Sequence, residues 1–226
     1  MENKPKINYY LQSLETLKTL DGQATKPRLL LHACCGPCST FPLVFLCEYF
    51  DVTIFYNNSN IYPESEYHLR LEELKKFVVA FEQDFSHHIE LIIPNYENEP
   101  FTRVLEPFKD EPEGQHRCQI CYAKRMGEAY DFAEANGYEY FTTVMTISRQ
   151  KNSQILNEIG LKLEQKHPKT KYFYSDFKKN KGLEKVKEMK EKYEMYQQLY
   201  CGCKFSYEAY QTKLENRKNE EKNDPK

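Results

Sequence analysis

The stretch LLLHACCGPCST, residues 29–40, sets three cysteines within five positions directly behind a run of apolar residues. An apolar run of this length without polar alternation reads as a strand buried on both faces, as in a parallel sheet. In open α/β sheets the turn after such a strand is where ligands sit. This turn lacks the glycine fingerprint of a dinucleotide fold and the Gly-Lys-Ser/Thr ending of a phosphate loop. Cys34, Cys35 and Cys38 stand where phosphate-binding glycines would be expected.

Further β-like runs follow at 52–58, 89–95, 140–146 and, more weakly, 172–176. Segments of helical periodicity at 41–50, 65–85, 115–136 and 150–165 separate them, each long enough to cross over a parallel sheet. Asn136-Gly137 supplies a helix stop, because glycine adopts the left-handed conformation readily. The pattern predicts an α/β, Rossmann-like parallel sheet flanked by helices. Apolar side chains recur at helical spacing over residues 7–20, so residues 1–26 read as an N-terminal helical extension and 27–206 as the Rossmann-like domain. A last helix over 182–199 leads into Cys-Gly-Cys, and residues 207–226 read as a charged, partly disordered tail.

At 226 residues and 27.0 kDa the chain suits one well-cored domain. No window is apolar enough to cross a bilayer, and the start has no apolar segment followed by a small-residue cleavage site. The expectation is a soluble cytoplasmic protein with no membrane partner. A formal net charge of -2 excludes a globally basic nucleic-acid binder, so any RNA contact must be local. Lysines crowd residues 178–192, but Glu184, Glu188 and Glu191 interleave with them, and charge alone favours a solvated helix face.

In the reducing cytosol eight cysteines point to metal ligation or redox catalysis rather than a disulfide framework. Cys47 stands apart among apolar neighbours and reads as a small hydrophobe. Cys118 and Cys121 form a CxxC pair at a helix start, where backbone NH groups favour thiolates, and ligation fits better there than a thioredoxin-type dithiol. With Cys34 and Cys35 they offer the four thiolates that a [4Fe-4S] cluster needs. Structural zinc is the alternative, although its ligands usually come as two CxxC-like knuckles and only one is present. Cys38 is open between a further ligand, for a second metal, and a small packing residue. Cys201 and Cys203, separated by one glycine, suit thiol or electron exchange better than architecture, with two unrelated cysteines or further metal ligands as the competing readings.

Taken in order, HACCGPCS (32–39), YNNSNIYPESEYHLR (56–70), HRCQICYAKRM (116–126), FTTVMTISRQKNSQILNEIG (141–160) and YFYSDFKKNKGLEKVKEMKEKYEMYQQLYCGCKFS (172–206) resemble the epoxyqueuosine reductases of the QueH type over most of the chain. The resemblance implies a fold of the adenine nucleotide alpha hydrolase-like class, which also holds ATP-pyrophosphatases. It implies a [4Fe-4S] cluster on Cys34, Cys35, Cys118 and Cys121, and a redox-active disulfide pair, Cys201 with Cys203. An additional mononuclear iron, held with the help of Cys38, is a further expectation. The implied reaction is two-electron removal of the epoxide oxygen from epoxyqueuosine at the tRNA wobble position, the last step in making queuosine. Its partners would be tRNA carrying that base in the anticodon loop and a low-potential electron donor.

For the substrate, the candidates are Tyr56, Tyr62, Tyr67 and Arg70 after the second strand, and Arg117 and Arg125 around the CxxC. Ser148, Arg149, Lys151 and Asn152 after the fourth strand, and Asp176 at the last, complete the set. Two rival functions follow from the same residues. A tRNA-thiolating enzyme of the ATP-pyrophosphatase kind would need a Ser-Gly-Gly turn after the first strand, where CCGPC stands. A zinc-stabilised binding module would carry zinc and no iron or sulfide.

Overall fold

The computed structural model describes residues 6–223. Five strands, β1 (Arg28–His32), β2 (Asp51–Phe55), β3 (Glu90–Ile92), β4 (Tyr140–Thr143) and β5 (Lys171–Tyr172), form one sheet in the order β3-β2-β1-β4-β5. Every neighbouring pair is parallel, with His32 opposite Phe55 on one side and Thr143 on the other. Eight α-helices accompany it: α1 (Tyr9–Leu20), α2 (Gly36–Leu46), α3 (Glu64–Phe85), α4 (Asn98–Leu105), α5 (His116–Ala135), α6 (Ser153–Glu164), α7 (Gly182–Lys192) and α8 (Lys204–Asn223).

The leucine run explains the layering. Leu29 and Leu31 enter one apolar cluster with Ile54, Phe77 and Phe173, while Leu30 points through the other face to Met126, Tyr130 and Phe141. All three leucines are fully buried, which is why β1 shows no polar alternation. Each contributes about 1.5–3 kcal/mol by leaving water. On the second face α5 lays down a stripe of Cys118, Cys121, Tyr122, Arg125, Met126, Ala129, Tyr130 and Ala133 at helical spacing. Gly137, with φ of 70°, stops α5 as the sequence predicts.

The chain runs outwards from β1 through β2 to β3, then returns to lay β4 on the other side of β1. The turns after β1 and β4 therefore diverge at their carboxyl ends and leave a crevice between them.

Four local features differ from the sequence expectation. Helix α2 begins at Gly36 rather than at 41, because Cys35 caps it in an extended conformation and Pro37 suits a first turn, which draws Cys38 onto the helix. Helix α4 contains Pro100 and spans only eight residues, too few for its periodicity to stand out in the sequence. Helix α7 stops at Lys192: Glu194 takes a φ of 48°, Tyr193 is tied to Asp84 and the Tyr196 amide to Glu73. The following residues thus run as an irregular strap. Within the expected tail, the chain forms α8 up to Asn223, and the rest of that stretch lies outside the described residues. The first two turns of α8 dock through Phe205, buried Ser206, Tyr207 against Tyr62, and Tyr210 stacked on Tyr200. Among the described residues no helix is long and apolar enough to cross a membrane.

Candidate functional site

The crevice predicted by the strand order is a cleft of about 500 Å³, with Cys34, Cys38, Asn60, Arg125, Lys151 and Cys201 in its walls. The sulfur atoms of Cys34, Cys35 and Cys38 all lie within 4.8 Å of one another, the one such ligand group among the described residues. The spacing left Cys38 open between ligand and packing residue; the early start of α2 brings its sulfur to the other two. Cys34 and Cys35 are 3.9 Å apart, and Gln198 Nε2 donates to Cys35 Sγ at 3.5 Å. Sharing of protons from Cys35 and Cys38 holds the Cys34 thiol well below its ordinary range, aided by Lys151 and Arg125. The same sharing pushes Cys35 up to about 12 and Cys38 upwards.

Cys118 and Cys121 stand outside that group, on the first turns of α5. Gly114 N donates to Cys118 Sγ at 3.2 Å. The helix start was expected to favour thiolates here; burial outweighs it, raising Cys118 and pushing Cys121 up to about 12. The charge of Arg125 acts on both Cys121 and Cys34, lowering each, and so links the two halves of the cysteine set. Cys203 packs beside Cys121, Phe101, Leu105 and Phe205. Cys201 and Cys203 are free thiols, as are the other six cysteines. Cys47 is buried at the end of α2, away from the cleft, as expected of a small hydrophobe.

Two cations are built into the cleft. Arg125 is buried, and its Nη2 donates to Asn58 Oδ1 at 2.6 Å, while Asn58 Nδ2 donates to the Ala33 carbonyl at 2.7 Å. This chain of bonds fixes the guanidinium to the cysteine turn. Burial alone would lower the Lys151 ammonium, but Cys201, Cys34, Tyr122 and Cys38 outweigh it and raise the group above its ordinary range. Lys178 secures the Lys151 loop by donating to the carbonyls of Thr146 at 2.6 Å and Lys151 at 3.4 Å. The lysine-rich segment was read as a solvated face, and for Lys178 that reading fails because these carbonyls at the end of β4 need a donor. Asn58 and Gln198 were also missed; the asparagine-rich turn after β2 was the only signal for the former.

Other candidates prove to be architecture. Tyr56 and Tyr67 are core residues, the Tyr56 hydroxyl donating to the Tyr67 carbonyl, so neither offers a stacking face. Arg70 is sunk in the wall and fully engaged by protein groups. Arg117 spends Nη1 on the carbonyls of Phe108, Lys109 and Glu111, tying down the loop before α5. Asn152 caps α6 by accepting from Gln154 N, and Asp176 accepts from Ser153 Oγ and pairs with Lys178. Tyr62 lies against Tyr207, outside the cleft. Ser148, Arg149 and Lys151 do reach the cleft.

The family model for epoxyqueuosine reductase QueH matches residues 29–209. Epoxyqueuosine reductase QueH of Staphylococcus aureus is 40% identical over 212 residues, covering 91% of this chain and 86% of the relative. That of Streptococcus pyogenes serotype M1 is 36% identical over 206 residues, covering 91% and 80%. The match to the protein of that name from Thermotoga maritima is 29% over 181 residues, covering 79% and 89%. Since the family match runs from β1 through both cysteine-bearing turns and the CxxC helix into α8, the chain belongs to the epoxyqueuosine reductase QueH family and is an oxidoreductase.

Proposed function

We propose that the cleft between the ends of β1 and β4 takes the epoxyqueuosine base of a tRNA anticodon loop and reduces it to queuosine. The observation that carries this is the convergence of three sulfurs within 4.8 Å on one wall with Cys201 and the Lys151 ammonium on the same cleft. A volume of about 500 Å³ suits a modified nucleoside rather than a helix of RNA. The wobble base would therefore leave the loop stack to enter it, which is easiest in a single-stranded loop.

In this reading Cys34, Cys35, Cys118 and Cys121 would hold a [4Fe-4S] cluster, with Cys38 available to an additional iron. The donor chemistry fits: soft thiol groups crowd the turn, the Cys34 thiol is held well below its ordinary range, and the cations Arg125 and Lys151 stand by to offset the charge. Once bound, such a centre supplies electrons at low potential and a Lewis acid for the epoxide oxygen.

The rest falls to the chain's own side chains. Removing the oxygen consumes two electrons and two protons, breaks both C–O bonds, and yields the cyclopentene and one water. Negative charge grows on the departing oxygen, and Lys151 is the ammonium placed to meet it. Arg125 holds its position through Asn58 and keeps the cysteine turn in register with α5. Cys201 and Cys203 pass reducing equivalents between the cleft and a low-potential donor. On the rim, Arg149, Lys187 and Lys190 are positioned for the anticodon-loop phosphates.

The test is anaerobic incubation with epoxyqueuosine-containing tRNA and a low-potential reductant, read by nucleoside mass spectrometry. Loss of one oxygen from the base is expected; an unchanged base would overturn the reading. In parallel, anaerobically prepared protein should contain iron and acid-labile sulfide, both lost in Cys118→Ser. Stoichiometric zinc without either would refute the cluster.

A further inference from the structure

Arg70 and Glu66 form an ion pair sealed into the wall behind the Cys201–Gly202–Cys203 turn, with side chains only 2% and 10% exposed. A guanidinium at such a site is costly unless its donors are met. Here Nε donates to Glu66 Oε1 at 2.8 Å, Nη1 to the Cys201 carbonyl at 3.0 Å and Nη2 to the Tyr200 carbonyl at 3.1 Å. The next carbonyl, of Gly202, accepts from Tyr62 N at 2.7 Å. Three successive carbonyls of one turn are therefore bonded to the α3 side of the cleft.

The partner is anchored in its turn. The Tyr196 hydroxyl lies 3.1 Å from both Glu66 oxygens, and the Tyr200 hydroxyl donates to the Tyr62 carbonyl at 2.7 Å. Gly202 holds a φ of 129°, and a Cβ there would come within 2.9 Å of Arg70 Nη1. The guanidinium fits against this turn only because the residue between the two cysteines has no side chain. With its carbonyls directed towards Arg70, the turn leaves Cys201 in the wall of the cleft that Cys34 and Cys38 also line, while Cys203 packs beside Cys121.

We propose that Arg70, aligned by Glu66 and Tyr196, is a positioning residue that fixes the Cys201–Gly202–Cys203 turn so that the Cys201 thiol is held in the cleft wall while Cys203 packs beside Cys121. The proposal deepens the reductase reading and rests on the role given there to Cys201 and Cys203. The planar fork is what the site uses, since one ammonium cannot serve a carboxylate and two carbonyls in this geometry. Arg70→Lys is thus the informative change, with Tyr196→Phe as a milder one that loosens the anchor without touching the turn.

The experiment measures iodoacetamide alkylation of Cys201 and Cys203 by peptide mass mapping on the protein alone, with buried Cys47 as an internal reporter of folding, beside kcat and KM on epoxyqueuosine tRNA. In Arg70→Lys, Cys201 should alkylate about tenfold faster, as expected from losing a charge-assisted hydrogen bond on a locally opening turn, with Cys47 still protected. Tyr196→Phe should move in the same direction by a smaller factor, and decides the matter if Arg70→Lys exposes Cys47. In the variant that stays folded, kcat should fall with KM unchanged. Unaltered Cys201 reactivity, or faster alkylation with unaltered kcat, would overturn the positioning role. A wild-type chain that leaves the epoxide intact would instead defeat the reductase reading, and the alkylation arm would still decide whether Arg70 fixes the turn.

Discussion

His32 and Thr143, the last residues of β1 and β4, are joined by a 2.8 Å hydrogen bond between Nδ1 and Oγ1. Both are fully buried, and the bond ties together the two strands whose divergence opens the cleft. Burial, with the Arg125 charge adding to it, pushes the imidazole down to about 3, so the ring is neutral and Thr143 is its side-chain partner. Thr143→Val leaves that nitrogen unmet and should cost about 1–3 kcal/mol in urea unfolding. Thr143→Ser, which restores the hydroxyl, should recover most of the loss. Equal stability of the valine and serine variants would show that the bond contributes nothing.

Lys151 provides the second expectation. If its ammonium meets the charge that develops on the epoxide oxygen, Lys151→Met should lower kcat by at least about a hundredfold while KM shifts far less. Lys151→Arg keeps the charge and should fall between. A methionine variant with raised KM and wild-type kcat would place the lysine in binding alone.

Cys47 carries a pH prediction away from the cleft. Burial pushes its thiol up to about 12 from an ordinary value of 9.0. The folded state thus favours the protonated form, and the stability this contributes is complete below pH 9 and lost as pH rises towards about 12. Cys47→Ala should therefore flatten the alkaline limb of the stability curve over that window. At its lower edge the native thiolate fraction is about five-hundredfold below that of the unfolded chain, so Cys47 should alkylate only on unfolding. Rapid labelling in the native protein would contradict this burial.

Gly160 on α6 lies flat against the Tyr172 ring of β5, and an added methyl would overlap that ring. Gly160→Ala should lower stability by about 1–3 kcal/mol despite its better helix propensity, seen as a lower thermal midpoint. A raised midpoint would mean that the Tyr172 ring moves aside freely.

The parts legible in the sequence are those governed by local pattern. A continuous apolar run marks β1, and β-branched and aromatic residues without polar alternation mark β2 and β4, because both of their faces are covered; Asn136-Gly137 marks the end of α5 because a left-handed residue is needed there. The turn after β1 was legible as a candidate site because cysteine is rare and its spacing restrictive. What escaped depends on long-range partners. Arg70 and Arg117 look like substrate-binding cations until the carbonyls of residues far along the chain are placed around them. Lys178 looks solvated among its neighbours, yet two carbonyls after β4 claim it. The end of α7 at Lys192 is set by Asp84 and Glu73 of α3, groups about a hundred residues away that no local periodicity records.

The central claim is that the cysteine set at this cleft, and not merely the fold around it, is what the epoxide reduction depends on. It is tested most directly by single-turnover conversion of epoxyqueuosine tRNA, under anaerobic conditions and excess reductant, by the wild-type chain, Cys34→Ser and Cys47→Ala in parallel. The account predicts that the wild type and Cys47→Ala lose one oxygen from the base while Cys34→Ser leaves it intact. Conversion by Cys34→Ser at the wild-type rate would contradict it.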